Sequence, residues 1–222
     1  MILAVAATEF EMAPLQALLQ QEGMHCLTCV SGVGPMEAAV RLTGLLAARS
    51  KEVTAVVNIG VAGGYIAGPG EDGPQLLELY LAESEVFGDL GICFPDRIEP
   101  LPEDLTGEAA FRMDRELLSA ARRICLEQGI AVRTGNFVTV AGVSATQTRG
   151  EMLKRRFQAR CENMEGAAVA RVCAEFSLPL LELRCISNLV EDRNPARWRL
   201  REACEKAART AAVLINNLKT LP

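Results

Sequence analysis

The chain has 222 residues, with 23 Lys and Arg against 28 Asp and Glu, a formal net charge of -5. No basic excess is available to neutralise phosphates, which excludes a general nucleic-acid binder. Half of the residues are hydrophobic and 23% charged, as in an ordinary globular protein, and the length suits one domain, spanning 1–222, with a sizeable core. Ile2 to Ala7 is an apolar run of strand length that stops before Glu9, with no basic segment ahead of it. Neither a secretory leader nor a membrane span is expected, since a span needs roughly 20 consecutive apolar residues. Glu9 to Gln20 follows with helical spacing of Met12, Leu15, Leu18 and Leu19. His25 to Val30 reads as a strand, and Gly32-Val33-Gly34-Pro35 leads into a helix over Met36 to Ala48. Val53 to Ile59 is a β-branched strand closed by Gly60-Val61-Ala62-Gly63-Gly64. Leu76 to Val86 is extended, and Gly88 to Gly107 is rich in turns.

The second half repeats the alternation. Helices are expected over Asp114 to Glu127, Gln147 to Arg156, Met164 to Phe176 and Ala196 to Leu218, and strands over Ile130 to Val140 and Pro179 to Ser187. Lys154, Arg155, Arg156 and Arg160 read as a solvated helix face. Such alternation predicts a single-domain, three-layer α/β/α fold with a mixed, mostly parallel central sheet.

Eight cysteines are scattered through apolar segments. Cys93, Cys125, Cys173, Cys185 and Cys204 read as small core residues of a protein in the reducing cytoplasm. Cys26 and Cys29 have C-x-x-C spacing, but in an extended run they point to opposite faces, against a redox pair. His25 is the only histidine, so neither a zinc site nor a Ser-His-Asp triad is supported. No metal or cofactor is expected.

Ligands of open α/β sheets bind beyond the carboxyl ends of the strands. The residues expected there are Glu9 and Glu11, Ser31 to Gly34, Gly60 to Gly64, Gly142-Val143-Ser144, Glu162 to Glu165, and Ser187-Asn188. An acid near the start of a helix interacts well with the dipole, and that alone accounts for Glu9 or Glu11. Gly32-Val33-Gly34 resembles part of a phosphate loop but lacks its Lys and its spacing. Asn163-Met164-Glu165-Gly166-Ala167-Ala168 places a carboxylate between apolar segments, where it needs partners. A sugar diol would supply two hydroxyl donors to Glu165, with Met164 as a soft apolar surface against the ring. In Arg184-Cys185-Ile186-Ser187-Asn188, strand alternation puts Arg184, Ile186 and Asn188 on one face and Ser187 on the other. A buried Arg184 needs a carboxylate, for which Glu11 is the candidate. Asn188 suits either a base edge or a turn.

These residues, in this order, resemble the nucleoside phosphorylase/hydrolase family that includes methylthioadenosine/adenosylhomocysteine nucleosidases and purine nucleoside phosphorylases. The resemblance spans nearly the whole chain. It implies that Glu11 activates the attacking water, with Ser31 and Arg184 helping to hold it. Glu165 and Met164 would bind the ribose, Val143 and Ser144 would contact the purine, Ser187 and the catalytic Asn188 would recognise its ring edge, and Gly63 and Asn163 are further expected substrate-binding residues. The mechanism implied is dissociative, with a ribose oxocarbenium ion and a purine stabilised at N7. Where relatives that cleave adenine nucleosides have Asp, this chain has Asn188, whose NH2 can donate to a 6-oxo group. The run from Arg184 to Arg193, including Asp192, is similar to members that hydrolyse futalosine, an inosine-like nucleoside with a 5′ carboxyphenyl ketone. For that tail, Phe87, Phe94 and Phe137 are candidate walls and Arg97 or Arg193 candidate carboxylate partners, whereas Trp198 reads as a packing anchor. Phosphorolysis, cleavage of adenine nucleosides and a catalytically inactive nucleoside sensor are the rival readings. Members commonly assemble as oligomers, so a homo-oligomer that binds a small purine nucleoside is expected, with no nucleic-acid or membrane partner.

Overall fold

The computed structural model describes residues 1–68, 70–94, 96–191 and 193–218, with only the backbone of Glu103. Asp192 and residues 219–222 therefore lie outside the described part. The chain order is β1 (Ile2–Ala6), α1 (Glu9–Gln21), β2 (Leu27–Val30), α2 (Pro35–Arg49), β3 (Ala55–Tyr65), β4 (Leu79–Phe87), β5 (Ile92–Cys93), β6 (Ile98–Glu99) and α3 (Glu103–Thr106). It continues with β7 (Ala110–Arg112), α4 (Arg115–Glu127), β8 (Arg133–Thr139), α5 (Gln147–Phe157), β9 (Ala159–Asn163), α6 (Gly166–Glu175), β10 (Leu180–Val190) and α7 (Leu200–Leu218).

The main sheet runs β10-β4-β8-β9-β3-β1-β2, with β7 pairing Ser84 to Val86 of β4, beyond the stretch that pairs with β10. Its pairs are parallel except β10–β4, β3–β9 and β4–β7. A further pairing of β10 with β3 closes five strands on themselves, so the sheet is open only toward β1 and β2. Helices cover both faces. Met12 and Leu15 of α1, Ile124 of α4 and Ala207, Ala211 and Leu214 of α7 pack on one side. Leu42 and Leu46 of α2 and Val169 and Val172 of α6 pack on the other. Stripes of apolar residues three and four apart supply these faces, and the mixed three-layer architecture is the one expected from the alternation.

Four local expectations are corrected. The stretch Gly60 to Gly64 is not a loop: β3 continues through it to Tyr65, in parallel register with β10 from Gly60↔Arg184 to Tyr65↔Val190. Strand β9 replaces the expected helix-to-helix connection, so Arg160 sits on a strand rather than on the face carrying Lys154, Arg155 and Arg156. Helix α6 begins at Gly166 rather than Met164, because the Asn163 side chain takes the amide hydrogens of Glu165 and Gly166 and bends the chain before it. Helix α7 begins at Leu200 rather than Ala196: Asn194 caps a short 3-10 turn over Pro195–Arg197, and Trp198 is extended.

Helix α4 starts at an Asp114 N-cap, whose side chain accepts from Leu117 N at 2.8 Å. Asp114→Ala is expected to lower the unfolding free energy by about 1 kcal/mol, read from the urea midpoint at constant slope. An unchanged midpoint would mean that water replaces the cap without loss.

Candidate active site

A cavity of about 360 Å³ opens where the carboxyl ends of β1, β3 and β10 meet the turns after β8 and β9. Glu11 enters it from the first turn of α1. It is the third residue of a reciprocal capping box, its backbone N–H donating to Thr8 Oγ1 at 3.2 Å. In return Glu11 Oε2 accepts from Thr8 Oγ1 at 2.8 Å and Thr8 N at 3.1 Å, while Oε1 accepts from Val61 N at 3.2 Å. The carboxylate is thus both a helix cap and a cavity group, with one oxygen engaged by the cap and the other turned toward β3. Gly60 makes room: a Cβ there would overlap Arg184 Nη1 and stand 2.7 Å from Glu11 Oε1.

Arg184 lies behind the cavity wall, 1% exposed. Its expected partner was Glu11, but its direct partner is Glu182, two residues earlier on the same strand, at 2.8 Å from Nε. Nη1 points between Glu165 Oε2 at 3.9 Å and Val61 O at 3.5 Å. Burial alone would lower the guanidinium pKa, but the charges of Glu182, Glu165 and Glu11 outweigh it and hold the group ionised. Glu182 also accepts from Asn58 Nδ2 at 3.2 Å and lies beside Glu85, a fully buried acid of β4. Both carboxyls fit because residue 166 is glycine: a Cβ there would overlap Glu85 Oε1 and come within 2.7 Å of Glu182 Oε1.

Glu85 links this pair to the turn that carries the ribose candidates. It accepts from Asn163 Nδ2 and from Thr139 Oγ1, the latter at 2.9 Å. Asn163 Oδ1 in turn accepts from the amides of Glu165 at 2.9 Å and Gly166 at 2.7 Å. Asn163 therefore lines the cavity while both ends of its amide shape the turn. Glu165 Oε1 accepts from Gly34 N at 3.0 Å, at the amino end of α2. Burial pushes the Glu165 carboxyl up, against the lowering effects of Arg184 and the Gly34 amide.

At the other end of the cavity, the register between β10 and β3 shifts between Ile186 and Asn188. This bulge breaks the expected alternation, so Ser187 and Asn188 both line the cavity instead of facing opposite ways. Ser187 Oγ donates to Asn188 Oδ1 at 2.9 Å. Opposite them, Glu162 of β9 accepts from Ser144 N at 2.7 Å, Ser144 Oγ at 2.6 Å and Tyr65 OH at 3.2 Å. The mouth is apolar, formed by Phe10, Val33, Val143, Trp198 and Leu200, with the Arg193 guanidinium 4.7 Å from the Trp198 ring centre.

Of the residues singled out from sequence, Glu11, Gly63, Val143, Ser144, Asn163, Met164, Glu165, Ser187 and Asn188 line this one cavity. Arg184 and Ser31 are not among its lining residues. Ser31 is fully buried and its hydroxyl lies 3.3 Å from both Ala6 O and Gly32 O. The aromatic walls proposed from sequence are elsewhere. Phe137 is core, Phe87 packs edge-on against Phe111, and Phe94 sits under Arg97 beside the β5–β6 hairpin. Arg97 is engaged by Asp96 and Glu99. Trp198, read as a packing anchor, lines the mouth instead. Sequence reasoning missed Phe10, Glu85 and Glu182 and gave Glu162 no role. An acid inside an otherwise apolar strand, the same signal that marked Arg184, would have found Glu85 and Glu182.

Burial, and then the charge of Glu182, hold the Glu85 carboxyl well above its ordinary value. The native state therefore keeps a proton that the unfolded chain releases near about pH 4.3. Stability from this group is fully present below that pH. It falls by about 1.4 kcal/mol per pH unit as pH rises toward the folded value. Glu85→Gln removes the slope, so its stability relative to wild type should rise with pH from about pH 5 upward, measured by urea unfolding at stepped pH. Parallel curves would show that Glu85 is ionised in the folded protein.

The family model of the phosphorylase superfamily matches residues 16–219. The chain is 36% identical to a futalosine hydrolase of Thermus thermophilus, covering 83% of this chain and 79% of that protein. It is 32% identical to a futalosine hydrolase of Streptomyces coelicolor, over 82% and 74% of the two chains. The solved structure of a mutant of futalosine hydrolase from Helicobacter pylori superposes with a TM-score of 0.82 at 22% identity, covering 97% of this chain and 98% of that one, and so shares its fold. With the family model matched over most of the chain, residues 16–219, the chain belongs to the phosphorylase superfamily.

Proposed function

We propose that this protein hydrolyses the N-glycosidic bond of futalosine, releasing hypoxanthine and dehypoxanthine futalosine, as a cytoplasmic step of menaquinone biosynthesis. The observation that carries the hydrolytic reading is Glu11, a carboxylate inside the cavity held by Thr8 and the Val61 amide, with acceptor capacity left for a water. Its chemistry is that of a general base. The bond from C1′ to N9 breaks and its electron pair leaves with the purine, giving the ribose oxocarbenium character. Water adds at C1′ and gives a proton to Glu11, from which it passes to the departing hypoxanthine. Glu165 accepts from the ribose diol, Met164 lies against the ring, and the Asn188 NH2 meets the N7 and O6 edge as charge builds there. Arg184 acts behind them by orienting Glu165 and Glu11.

Two features favour water over phosphate as the acceptor. Among the described residues lining the cavity, the charged groups are Glu11, Glu162, Glu165, Glu191 and Arg193, a set that repels a dianion. The amino end of α2, a natural anion site, is already occupied by Glu165 through the Gly34 amide at 3.0 Å. The futalosine assignment is supported by the two relatives of that name and by Asn188. The apolar mouth with Trp198 suits an aromatic 5′ tail, and Arg193 its carboxylate. The cytoplasmic placement rests on the buried thiols of Cys29, Cys125, Cys161, Cys173, Cys185 and Cys204; among the described residues no helix is long and apolar enough to cross a membrane.

We also propose a homo-oligomer, because Met36 and Val40, one turn apart on α2 beside the mouth, are 79% and 66% exposed. Light scattering should give a mass above that of one chain, and Met36→Lys with Val40→Lys should shift it to the monomer. A monomeric wild type would overturn this.

The catalytic proposal is tested by hypoxanthine release from futalosine, inosine and methylthioadenosine, with and without phosphate. Futalosine should be the preferred substrate and phosphate should change nothing. Glu11→Gln should lower kcat by about 10²-fold or more. Phosphate dependence, or full activity of the variant, would overturn the mechanism.

A further inference from the structure

We infer that Glu162 selects a 6-oxopurine by accepting its N1–H, a role that rests on the cavity holding a purine nucleoside. Glu162 is 5% exposed and lines the cavity. Its carboxylate offers about four acceptor positions, and three are filled: Ser144 N on Oε1, and Ser144 Oγ and Tyr65 OH on Oε2. The position left open is on Oε1. Burial, then the charge of Glu162 itself, raise the Tyr65 phenol, so it remains a donor to this carboxylate.

These bonds change what the cavity wall offers. The Ser144 N–H would otherwise be a free donor, suited to a ring nitrogen with a lone pair. At 2.7 Å from Glu162 Oε1 it is consumed, and the wall presents an acceptor in its place. Asn188 supplies the complementary donor. Its Oδ1 accepts from Ser187 Oγ at 2.9 Å and one NH2 hydrogen donates to Leu189 O at 3.4 Å, which leaves the second NH2 hydrogen for a ligand. The two side chains flank Gly63: a Cβ there would lie 3.3 Å from Asn188 Nδ2 and 3.6 Å from Glu162 Cγ. Glycine at this position lets a donor and an acceptor stand next to each other over one strand.

A 6-oxopurine in its lactam form presents, in sequence along one edge, N7 and O6 as acceptors and N1–H as a donor. Asn188 and Glu162 match that order. A 6-aminopurine presents a donor at the 6-position and a lone pair at N1, which would face the carboxylate with no proton between them. A buried mismatch of this kind is penalised more than a missing contact is. Asn188 alone does not make this distinction, because its NH2 can also donate to N7, which both bases share.

The test is calorimetric binding of three free bases to wild type and to Glu162→Gln. They are hypoxanthine, adenine and 1-deazahypoxanthine, which carries C–H where hypoxanthine has N1–H without added bulk. Wild type should bind hypoxanthine roughly 10- to 150-fold more tightly than either of the others, the worth of one hydrogen bond to a charged group. Glu162→Gln should lose most of that preference while binding 1-deazahypoxanthine as wild type does. If Glu162→Gln does not fold, the three ligands on wild type decide alone. Equal binding of hypoxanthine and 1-deazahypoxanthine by wild type would overturn the role of Glu162 and leave the purine site standing. Failure of wild type to bind any of the three would overturn both.

Discussion

The buried guanidinium of Arg184 is the interaction on which the rest of the site depends. An isolated cation at 1% exposure would bear a desolvation penalty of several kcal/mol. Glu182 at 2.8 Å, with Glu165 and Glu11 nearby, offsets it. The acids outnumber the cation, and burial with the charge of Glu182 pushes the carboxyl of Glu85, at the far end of the network, well above its ordinary value. What remains on the cavity side is a surplus of negative charge around the place where a ribose would become cationic. Such a cluster stabilises the fold poorly compared with an apolar core of the same volume. Its value lies in orientation: removing one member leaves the others buried without a partner, so each holds the next in place.

Helix ends and glycines deliver those charges. Glu11 is fixed by the capping box of α1, Glu165 by the Gly34 amide at the start of α2, and the turn before α6 by Asn163. Each uses backbone N–H groups that helices leave without partners. Gly60 and Gly166 stand where a side chain would displace Arg184 and Glu11 in one case, and Glu85 and Glu182 in the other. At these two positions glycine leaves space for carboxylates and a guanidinium. The same economy appears at Glu162, which takes up the Ser144 amide and so turns a donor wall into an acceptor wall.

The alternation of apolar runs and helical stripes determined the α/β class, the two helical layers and most element positions, because burial against a two-sided sheet imposes those periods locally. The order of the strand ends also brought out most cavity residues, since chemistry-bearing side chains in Glu11, Glu165 and Asn188 follow predicted elements directly. Pairing was not legible. Strand β9, Ala-Arg-Cys-Glu-Asn, has no apolar run of its own; β8 and β3 on either side make it a strand. The bulge at Ser187 belongs to the register of two strands, so no period-two reading of one strand can show it. Arg184 announced that it needed a carboxylate, but not which: Glu182 and Glu85 meet only because β4 and β10 are neighbours. Composition and period are properties of a segment and survive in the sequence, whereas the partner of a buried charge is a property of register and closure, which only the tertiary structure decides.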